Sequence, residues 1–365
     1  MHLALFTPSG PLASPLISYG AAIAPLLLRD HRLTLVFEWP GDAEAAQARA
    51  LYPDAAQGQC YADFCKEGAP CDVALYPFGD RDRLNGFIYK AARRWPGIAI
   101  LHDDILHQGL LHDPALTRDA AYCRRELTAV YGDASEGLAA RVLSGQVREV
   151  FRHYPTLPLA LGGSLALVTP SEAVAAELAA RLPGPAVRYI PPPAPHQPAP
   201  QGARQAMGLD DAPLIVVLAP PETEGDILLL RAALRALQRS FPTVRTLVCD
   251  HGRLSANPAW SDIGPAERLW KLDRLSPQRR DALAAEADVA VVFASPEGAL
   301  DLTLVVRLLA LEAPLVAVDP LNLQPSLRRA VAPVWREEAQ PWAALRAALH
   351  YFLSDRRAAL EAARA

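Results

Sequence analysis

DVAVVFASPEGALDLTLVVRLLALEAPLVAVD, residues 288–319, has the clearest structural pattern of any stretch in this sequence. Val289–Phe293 and Leu315–Val318 are short apolar runs of strand length, and both are continuous rather than alternating. Between them, Leu302–Leu311 places its apolar residues at helical spacing. A strand, a helix and a second strand in this order predict a parallel β-α-β unit. Continuous apolar strands are typical of a sheet that helices cover on both faces.

The same pattern extends to both sides of this stretch. Short apolar runs alternate with amphipathic segments along the whole chain, which predicts two doubly wound parallel sheets. The expected fold class is α/β, with two Rossmann-like domains that face each other across a cleft. The predicted strands are Leu3–Thr7, Leu33–Phe37, Val73–Tyr76, Ile98–His102, Leu165–Thr169, Val187–Ile190, Leu214–Leu218, Arg245–Cys249, Leu269–Leu272, Val289–Phe293 and Leu315–Val318.

A proline-rich segment separates the two halves of this pattern. Pro191–Arg204, PPPAPHQPAPQGAR, contains six prolines, so the sequence predicts neither a helix nor a central strand there. We interpret it as an extended, semi-rigid connector. The predicted domains are residues 1–190 and 205–365, joined by residues 191–204. A length of 365 residues agrees with two domains, because one core rarely organises so long a chain.

Charge and hydropathy exclude several classes of protein. The formal net charge is −4, from 36 Lys and Arg against 40 Asp and Glu, so no basic excess attracts nucleic acid. The N-terminus MHLALFTPSG lacks the features of a secretory signal, and no apolar run approaches the ~20 residues of a transmembrane helix. We expect a cytoplasmic protein and leave peripheral contact at the inner membrane open. The sequence carries no signal for an oligomeric state.

The cysteine pattern favours thiols over a metal site. Cys60, Cys65 and Cys71 are close in sequence, whereas Cys123 and Cys249 stand alone. Neither a CxxC pair nor a nearby histidine at zinc-ligand spacing accompanies them. The sequence therefore predicts reduced thiols and no metal site. We also expect no cofactor.

Three segments at predicted strand ends are candidates for ligand binding, because ligands of open parallel sheets bind beyond the carboxyl ends of the strands. Pro8–Ser18 follows the first strand and lacks the GxGxxG dinucleotide fingerprint. His102 ends another strand next to Asp103, where it can act as a base or hold a hydroxyl; a hydrogen-bonded structural histidine is an equal alternative. Ser295–Gly298 follows a strand of the second half. Its Glu297 can accept hydrogen bonds from sugar hydroxyls or be a solvated loop residue.

Six segments carry a resemblance to a known family: the short segments Ser14–Tyr19 and Tyr76–Asp80, and four longer stretches. The longer stretches are WPGIAILHDDILH (95–107), LVTPSEAVAAEL (167–178), LDRLSPQRRDALAAEADVAVVFASPEG (272–298) and ALEAPLVAVD (310–319). All six segments resemble the retaining glycosyltransferases of family 4, which have the GT-B fold. The resemblance implies a nucleotide-sugar donor bound mainly to the second domain and a sugar-containing acceptor bound mainly to the first. It implies no metal.

The resemblance also implies roles for individual residues. The catalytic residues would be His102, near the sugar and the acceptor, and Glu297, the first carboxylate of the family's E-x7-E pair. The donor-binding residues would be Ser14, Gly225, Ser295, Gly298 and Arg307. The acceptor-side residues would be Ser9, Gly10, Asp103 and His107.

Three positions depart from the donor site of that family. Pro15 stands where the family usually has a glycine whose N–H can face the donor phosphate, and proline has no N–H. Glu224 occupies the place of a phosphate-binding lysine, where a carboxylate repels a diphosphate. Arg307 stands where the family has the glutamate that holds the ribose. This arginine could take a phosphate itself or lie exposed on a helix.

Two functions therefore stay open. The first is a hexosyl-type glycosyltransferase with an altered donor site, which the strand end at His102 and Asp103 favours. The second is a catalytically inactive GT-B relative that acts as a binding or scaffolding subunit, which the three departures favour together. A nicotinamide oxidoreductase would share the sheet pattern, but the sequence lacks both GxGxxG and an acidic residue at the required offset.

Overall fold

The structure of the chain is a computed structural model that divides into two compact units, Met1–Pro192 and Pro193–Ala365. It describes residues 1–7, 15–38, 49, 52–79, 86–101, 120–144, 161, 163–182, 184–194, 201–209, 212–250, 260, 268–273, 275, 277–294, 300–320, 323, 327 and 330–355. Among the helices in these ranges, none has the length and apolar character needed to cross a membrane.

The first unit contains one parallel sheet. Its described strands are β1 (His2–Phe6), β2 (Arg32–Phe37), β3 (Gln57–Cys60), β4 (Val73–Phe78), β5 (Ile98–Leu101), β6 (Ala166–Thr169) and β7 (Ala186–Tyr189). They pair in parallel in the order β3-β2-β1-β4-β5-β6-β7. The described helices are α1 (Pro15–Leu27), α2 (Tyr61–Lys66), α3 (Gly86–Arg94), α4 (Ala120–Tyr131), α5 (Ser135–Leu143) and α6 (Glu172–Arg181), with a 3₁₀ turn at Gly132–Ala134.

The second unit repeats this architecture. Its described strands are β8 (Leu214–Ala219), β9 (Arg245–Asp250), β10 (Leu269–Asp273), β11 (Val289–Phe293), β12 (Leu315–Val318) and β13 (Val331–Val334). They pair in parallel in the order β10-β9-β8-β11-β12-β13. The described helices are α7 (Ala203–Ala206), α8 (Glu224–Leu237), α9 (Pro277–Glu286), α10 (Leu302–Ala310) and α11 (Pro341–Ser354).

Helices cover both faces of the second sheet, as the continuous apolar strands predict. Successive residues of a strand point to opposite faces. Val217 of β8 therefore packs with Leu234 of α8 and Leu345 of α11, whereas Val216 packs with Leu283 of α9 on the other face. The first sheet likewise has a separate apolar core on each face. The predicted α/β fold of two Rossmann-like domains is confirmed.

The sequence patterns missed two strands, and both lie at the edge of a sheet. β3 has the sequence QGQC and pairs only with β2, so it has no fully apolar face to signal a strand. β13 contains Pro333 and pairs only with β12. Proline lacks the N–H that a central strand would need on both sides, but an edge strand tolerates it.

The expectation of no helix in Pro191–Arg204 was wrong at its last two residues. α7 begins at Ala203, beyond the last proline of the connector. The Glu286 carboxylate at the end of α9 accepts the backbone N–H groups of Ala203 at 3.2 Å and Arg204 at 2.6 Å. A distant carboxylate thus satisfies the free N–H groups at the start of this short helix.

Candidate functional site

The carboxyl edge of the second sheet is where a ligand of this unit is expected. The order of the strands reverses between β8 and β11, and open parallel sheets bind ligands beyond the carboxyl ends at such a point. The chain enters α8 from β8, α9 from β10 and α10 from β11. The first turns of these three helices therefore lie at the same edge as the ends of the strands.

Most of the predicted site residues lie outside the described residues. This holds for the predicted catalytic residues His102 and Glu297. It also holds for Ser14, Ser295 and Gly298 of the predicted donor site and for Ser9, Gly10, Asp103 and His107 of the predicted acceptor side. The structure describes Gly225 in the first turn of α8 and Arg307 in α10. Their predicted roles stay predictions.

The amino end of α8 is capped by its own side chains. Thr223 is the N-cap: its hydroxyl accepts the backbone N–H of Asp226 at 3.1 Å and donates to the Asp226 carboxylate at 2.7 Å. Gly225 and the exposed Glu224 lie in the same turn. Two carboxylates in a first turn stabilise the helix dipole and repel a phosphate. This helix end is therefore unsuited to a diphosphate.

A buried charge cluster lies at the same edge, around Arg336. Arg336 follows β13 and donates two hydrogen bonds of 2.9 Å to the Asp226 carboxylate, one to each oxygen. A third, of 2.6 Å, reaches Asp319, which follows β12, and a fourth, of 3.3 Å, reaches the carbonyl oxygen of Ala294. Asp319 has a left-handed backbone, with φ of 58°. The guanidinium thus joins the segments that follow β11, β12 and β13 to the start of α8.

The surroundings of Arg336 favour its charged form. Burial lowers the pKa of Arg336, but the hydrogen bond to Asp226 and the charges of Asp226 and Asp319 raise it by more. Sequence reasoning did not find this cluster, because Arg336 and Asp226 are 110 residues apart and β13 itself was missed. The one local signal would have been the position of Arg336 just after a strand.

Arg307 is paired within its own unit. Its Nε donates a hydrogen bond of 2.9 Å to the Asp281 carboxylate of α9, and its Nη2 donates a second one to the same carboxylate, so the two residues form an ion pair. The Arg307 side chain is 29% exposed, so it is not the exposed helix arginine that was one of the two alternatives. A phosphate that used Arg307 would have to compete with Asp281.

Arg280, in the first turn of α9, differs from the other two arginines. It is only 9% exposed, and its Nε has no hydrogen-bond acceptor within the described part of the chain. Neighbouring Asp281 is hydrogen-bonded to Arg307 instead. A buried cation without an acceptor is costly, and a bound anion would remove that cost.

Several charges act on Arg280. Burial lowers its pKa and the charge of Arg307 lowers it further, whereas Asp281 and Asp301 act in the opposite sense. Asp301 is the N-cap of α10 and accepts the backbone N–H of Leu304 at 3.1 Å. Cys249 of β9 is also close, and burial raises the pKa of its thiol to about 12, so it stays neutral. Arg280 is the described group at this edge that is best suited to a phosphate.

Known structures share the fold of the whole chain. HepE of Anabaena, solved in complex with UDP and glucose, has 11% identity and a TM-score of 0.60, over 100% of this chain and 92% of HepE. WaaG, a glycosyltransferase involved in lipopolysaccharide biosynthesis, has 14% identity and a TM-score of 0.59, over 99% and 94%. A Listeria monocytogenes protein described as a UDP-N-acetylglucosamine 2-epimerase has 9% identity and a TM-score of 0.58, over 100% and 91%.

These similarities establish the fold alone. Each of the two units is a doubly wound parallel sheet, and together they constitute the GT-B fold. No protein-family model matches the sequence, and none of the curated proteins matches it either.

Proposed function

We propose that this chain is a glycosyltransferase that moves a hexosyl group from a nucleotide-sugar donor to a glycan, lipid-linked or protein acceptor. In this proposal it is a retaining enzyme of the family 4 type with an altered donor site. The second unit would bind the donor and the first unit the acceptor. His102 and Glu297 would be its catalytic residues.

The fold and the resemblance support this reaction class. HepE was solved with UDP and glucose, WaaG is a glycosyltransferase, and the Listeria protein is described as an epimerase of a UDP-sugar. A shared fold does not choose between transfer and epimerisation. The segments at 95–107 and 272–298, which resemble family 4, favour transfer.

The observation that carries the proposal is the buried guanidinium of Arg280 at the carboxyl edge of the second sheet, whose Nε has no hydrogen-bond acceptor among the described residues. A donor phosphate at this edge would supply the missing acceptor. Arg336 and Arg307 are already paired with carboxylates, so Arg280 takes the place of the family's lysine as the phosphate-binding cation. Because α8 is capped by Thr223, the phosphate would lie on the side of α9 and α10.

The same observations favour a second candidate, a catalytically inactive GT-B relative that serves as a binding or scaffolding subunit. The first turn of α8 carries two carboxylates, and Arg336 and Arg307 are both neutralised by aspartates. The two candidates differ in a measurable way. Only the enzyme needs a donor phosphate on Arg280.

Replacing Arg280 with methionine is expected to weaken nucleotide binding by about tenfold or more, because a hydrogen bond to a charged group contributes about 1.5–3 kcal/mol. Isothermal titration calorimetry of the full chain with UDP, GDP, ADP and CDP measures this. We expect saturable heat with at least one nucleotide. Arg346→Met, at an exposed arginine of α11, is the matched control and should leave the dissociation constant unchanged.

Thermal unfolding of the same variants separates a binding role from a structural one. Arg280→Met should unfold at the same temperature as the parent or higher, because it removes a buried charge whose Nε has no acceptor among the described residues. A large loss of stability would show that Arg280 supports the fold instead. An absence of heat with all four nucleotides would exclude donor binding and leave the scaffolding candidate.

Catalysis itself is tested with a nucleotide sugar that contains the nucleotide found to bind by calorimetry. Slow hydrolysis of the donor, or transfer to an added sugar acceptor, is expected from the parent chain and should be lost in His102→Ala and Glu297→Ala. Donor binding without hydrolysis or transfer would contradict the enzyme proposal and favour a binding subunit.

A further inference from the structure

Thr303, in the first turn of α10, carries a buried hydroxyl at the carboxyl edge of the second sheet. The residue is only 5% exposed, and its hydroxyl has no hydrogen-bond partner within the described part of the chain. A threonine in a helix can bond its hydroxyl to a backbone oxygen three or four residues earlier. Nearly all buried polar groups of proteins are paired in some such way, so this hydroxyl requires an explanation.

Other buried threonines of the chain show the usual pairing. The hydroxyl of Thr34 in β2 is hydrogen-bonded with Nε2 of His2 at 2.8 Å. The hydroxyl of Thr169 in β6 accepts the backbone N–H of Ser171 at 3.2 Å. Each of these hydroxyls satisfies a group of the fold itself, whereas the structure shows no such role for the hydroxyl of Thr303 among the described residues.

The face of α10 that bears Thr303 is turned toward the start of α9. Residues four apart in a helix share one face, so Thr303 lies on the same face as Arg307. Arg307 is hydrogen-bonded to Asp281 of α9, the residue after Arg280. Asp301, the N-cap of α10, also acts on the charge of Arg280. The Thr303 hydroxyl and the Arg280 guanidinium therefore lie at one junction, between the first turns of α9 and α10.

The charges at this junction favour an anion over a neutral ligand. Arg307 and Asp281 neutralise each other in their ion pair. The Asp301 carboxylate accepts the backbone N–H of Leu304, so it is engaged by its own helix. Arg280 has no such pairing at its Nε within the described ranges. A guanidinium beside a hydroxyl provides two kinds of donor, which together suit the oxygen atoms of a phosphate group.

We propose that Thr303 is a second phosphate-binding residue of the donor site, and that its hydroxyl and the Arg280 guanidinium hold the same phosphate group. The inference rests on the proposed nucleotide-sugar donor and adds α10 to the site that binds it. The phosphate oxygens would accept from both residues at once. Each residue thereby gains the hydrogen-bond partner that the described part of the protein does not supply.

Thr303→Val, which has nearly the same shape and lacks the hydroxyl, is expected to weaken nucleotide binding about tenfold, because a hydrogen bond to a charged group is lost. Isothermal titration calorimetry of the full chain with UDP, GDP, ADP and CDP measures this. Thr303→Ser keeps the hydroxyl and should bind within threefold of the parent. Thr303→Val should also unfold at the parent's temperature or higher, because the hydroxyl that it removes satisfies no described group of the protein.

Thr34→Val is the matched control, because it makes the same change at a buried threonine whose hydroxyl is hydrogen-bonded within the fold. It should lower the unfolding temperature and leave nucleotide binding unchanged. In Arg280→Met, where the phosphate is held less firmly, adding Thr303→Val should weaken binding by less than threefold, since the two residues act on one group.

The outcomes separate this inference from the proposed function. Unchanged binding in Thr303→Val beside weakened binding in Arg280→Met would overturn the inference and leave the proposed function standing. A fall in the unfolding temperature of Thr303→Val as large as that of Thr34→Val would assign the hydroxyl to the fold and also overturn it. A full tenfold loss on the Arg280→Met background would refute a shared phosphate. An absence of heat from the parent with all four nucleotides would contradict the proposed function itself, and the inference with it.

Discussion

Arg336→Met is expected to lower the free energy of unfolding of the second unit by about 3 kcal/mol. Breaking a buried ion pair costs about 3–5 kcal/mol, because the partner is left as an uncompensated buried charge. Here two carboxylates would be left: the Asp226 and Asp319 side chains are 7% and 12% exposed. Arg336 is itself 25% exposed, so water reaches the site, and the lower end of the range applies.

This loss corresponds to a fall of roughly 6–12 °C in the melting temperature of a domain of this size. Calorimetric unfolding measures the fall, and hydrogen exchange should localise it to β12, β13 and the start of α8. The control Arg346→Met, on the exposed face of α11, should stay within about 0.5 kcal/mol of the parent. The loss of stability in Arg336→Lys should lie between those of Arg336→Met and Arg346→Met, because lysine keeps the positive charge but cannot form the bidentate pair with Asp226.

The aspartates provide a second check on the same cluster. In the double variant Arg336→Met/Asp226→Asn one orphaned carboxylate is gone, so the combined loss of stability should be smaller than the sum of the two single losses. Additive losses, or an Arg336→Met variant as stable as the Arg346→Met control, would show that the cluster does not stabilise the carboxyl edge.

Gly97→Ala is expected to destabilise the first unit by about 3 kcal/mol, at the upper end of the usual cost of overpacking. Gly97 directly precedes β5, which pairs with β4. A Cβ added to it would lie 2.6 Å from Cε2 of Tyr76 and closer still to the backbone oxygen of Ala74. Ala74 and Tyr76 belong to β4, and a backbone oxygen cannot move aside without disturbing the pairing of the two strands.

Gly137→Ala, in α5 of the same unit, is the matched control and should have the opposite sign. Apart from its chain neighbours and the backbone of its own helix, nothing in the described part of the chain lies within 4 Å of the added Cβ, and the glycine is exposed. Alanine is favoured over glycine inside a helix by roughly 0.5–1 kcal/mol, so this variant should be slightly more stable than the parent. Chemical denaturation of both variants measures the difference. Equal effects of the two substitutions would show that the close approach at Gly97 does not constrain the unit.

Residues whose position depends on local pattern were predicted well. The strands Val289–Phe293 and Leu315–Val318 have the predicted bounds, and the helix predicted at Leu302–Leu311 ends one residue earlier, at Ala310. Each is specified by its own apolar spacing. The strands β3 and β13 were missed because an edge strand buries less surface, and its sequence therefore carries a weaker apolar signal.

The candidate site was predicted only in part, for a physical reason that the two neighbouring arginines of α9 illustrate. Arg279 is exposed and Arg280 is buried, although they are identical residues at adjacent positions. The difference comes from the rotation of α9 on the sheet, which depends on the packing of Leu283 against β8 and β11. Helical spacing puts Arg280 on the same face of α9 as Leu283 and Ala284, but only the tertiary structure shows that its Nε meets no acceptor among the described residues.

The sequence by itself determined the class of fold, because the apolar spacing within a segment identifies it as a helix or a strand whichever other elements it packs against. The tertiary structure alone decided which charges meet. Arg336 reaches Asp226 across 110 residues, Arg307 reaches Asp281 across 26, and Arg280 reaches no acceptor through its Nε among the described residues. Ion pairing depends on distances of a few ångströms between elements, and only the order of the strands and the packing of the helices set those distances.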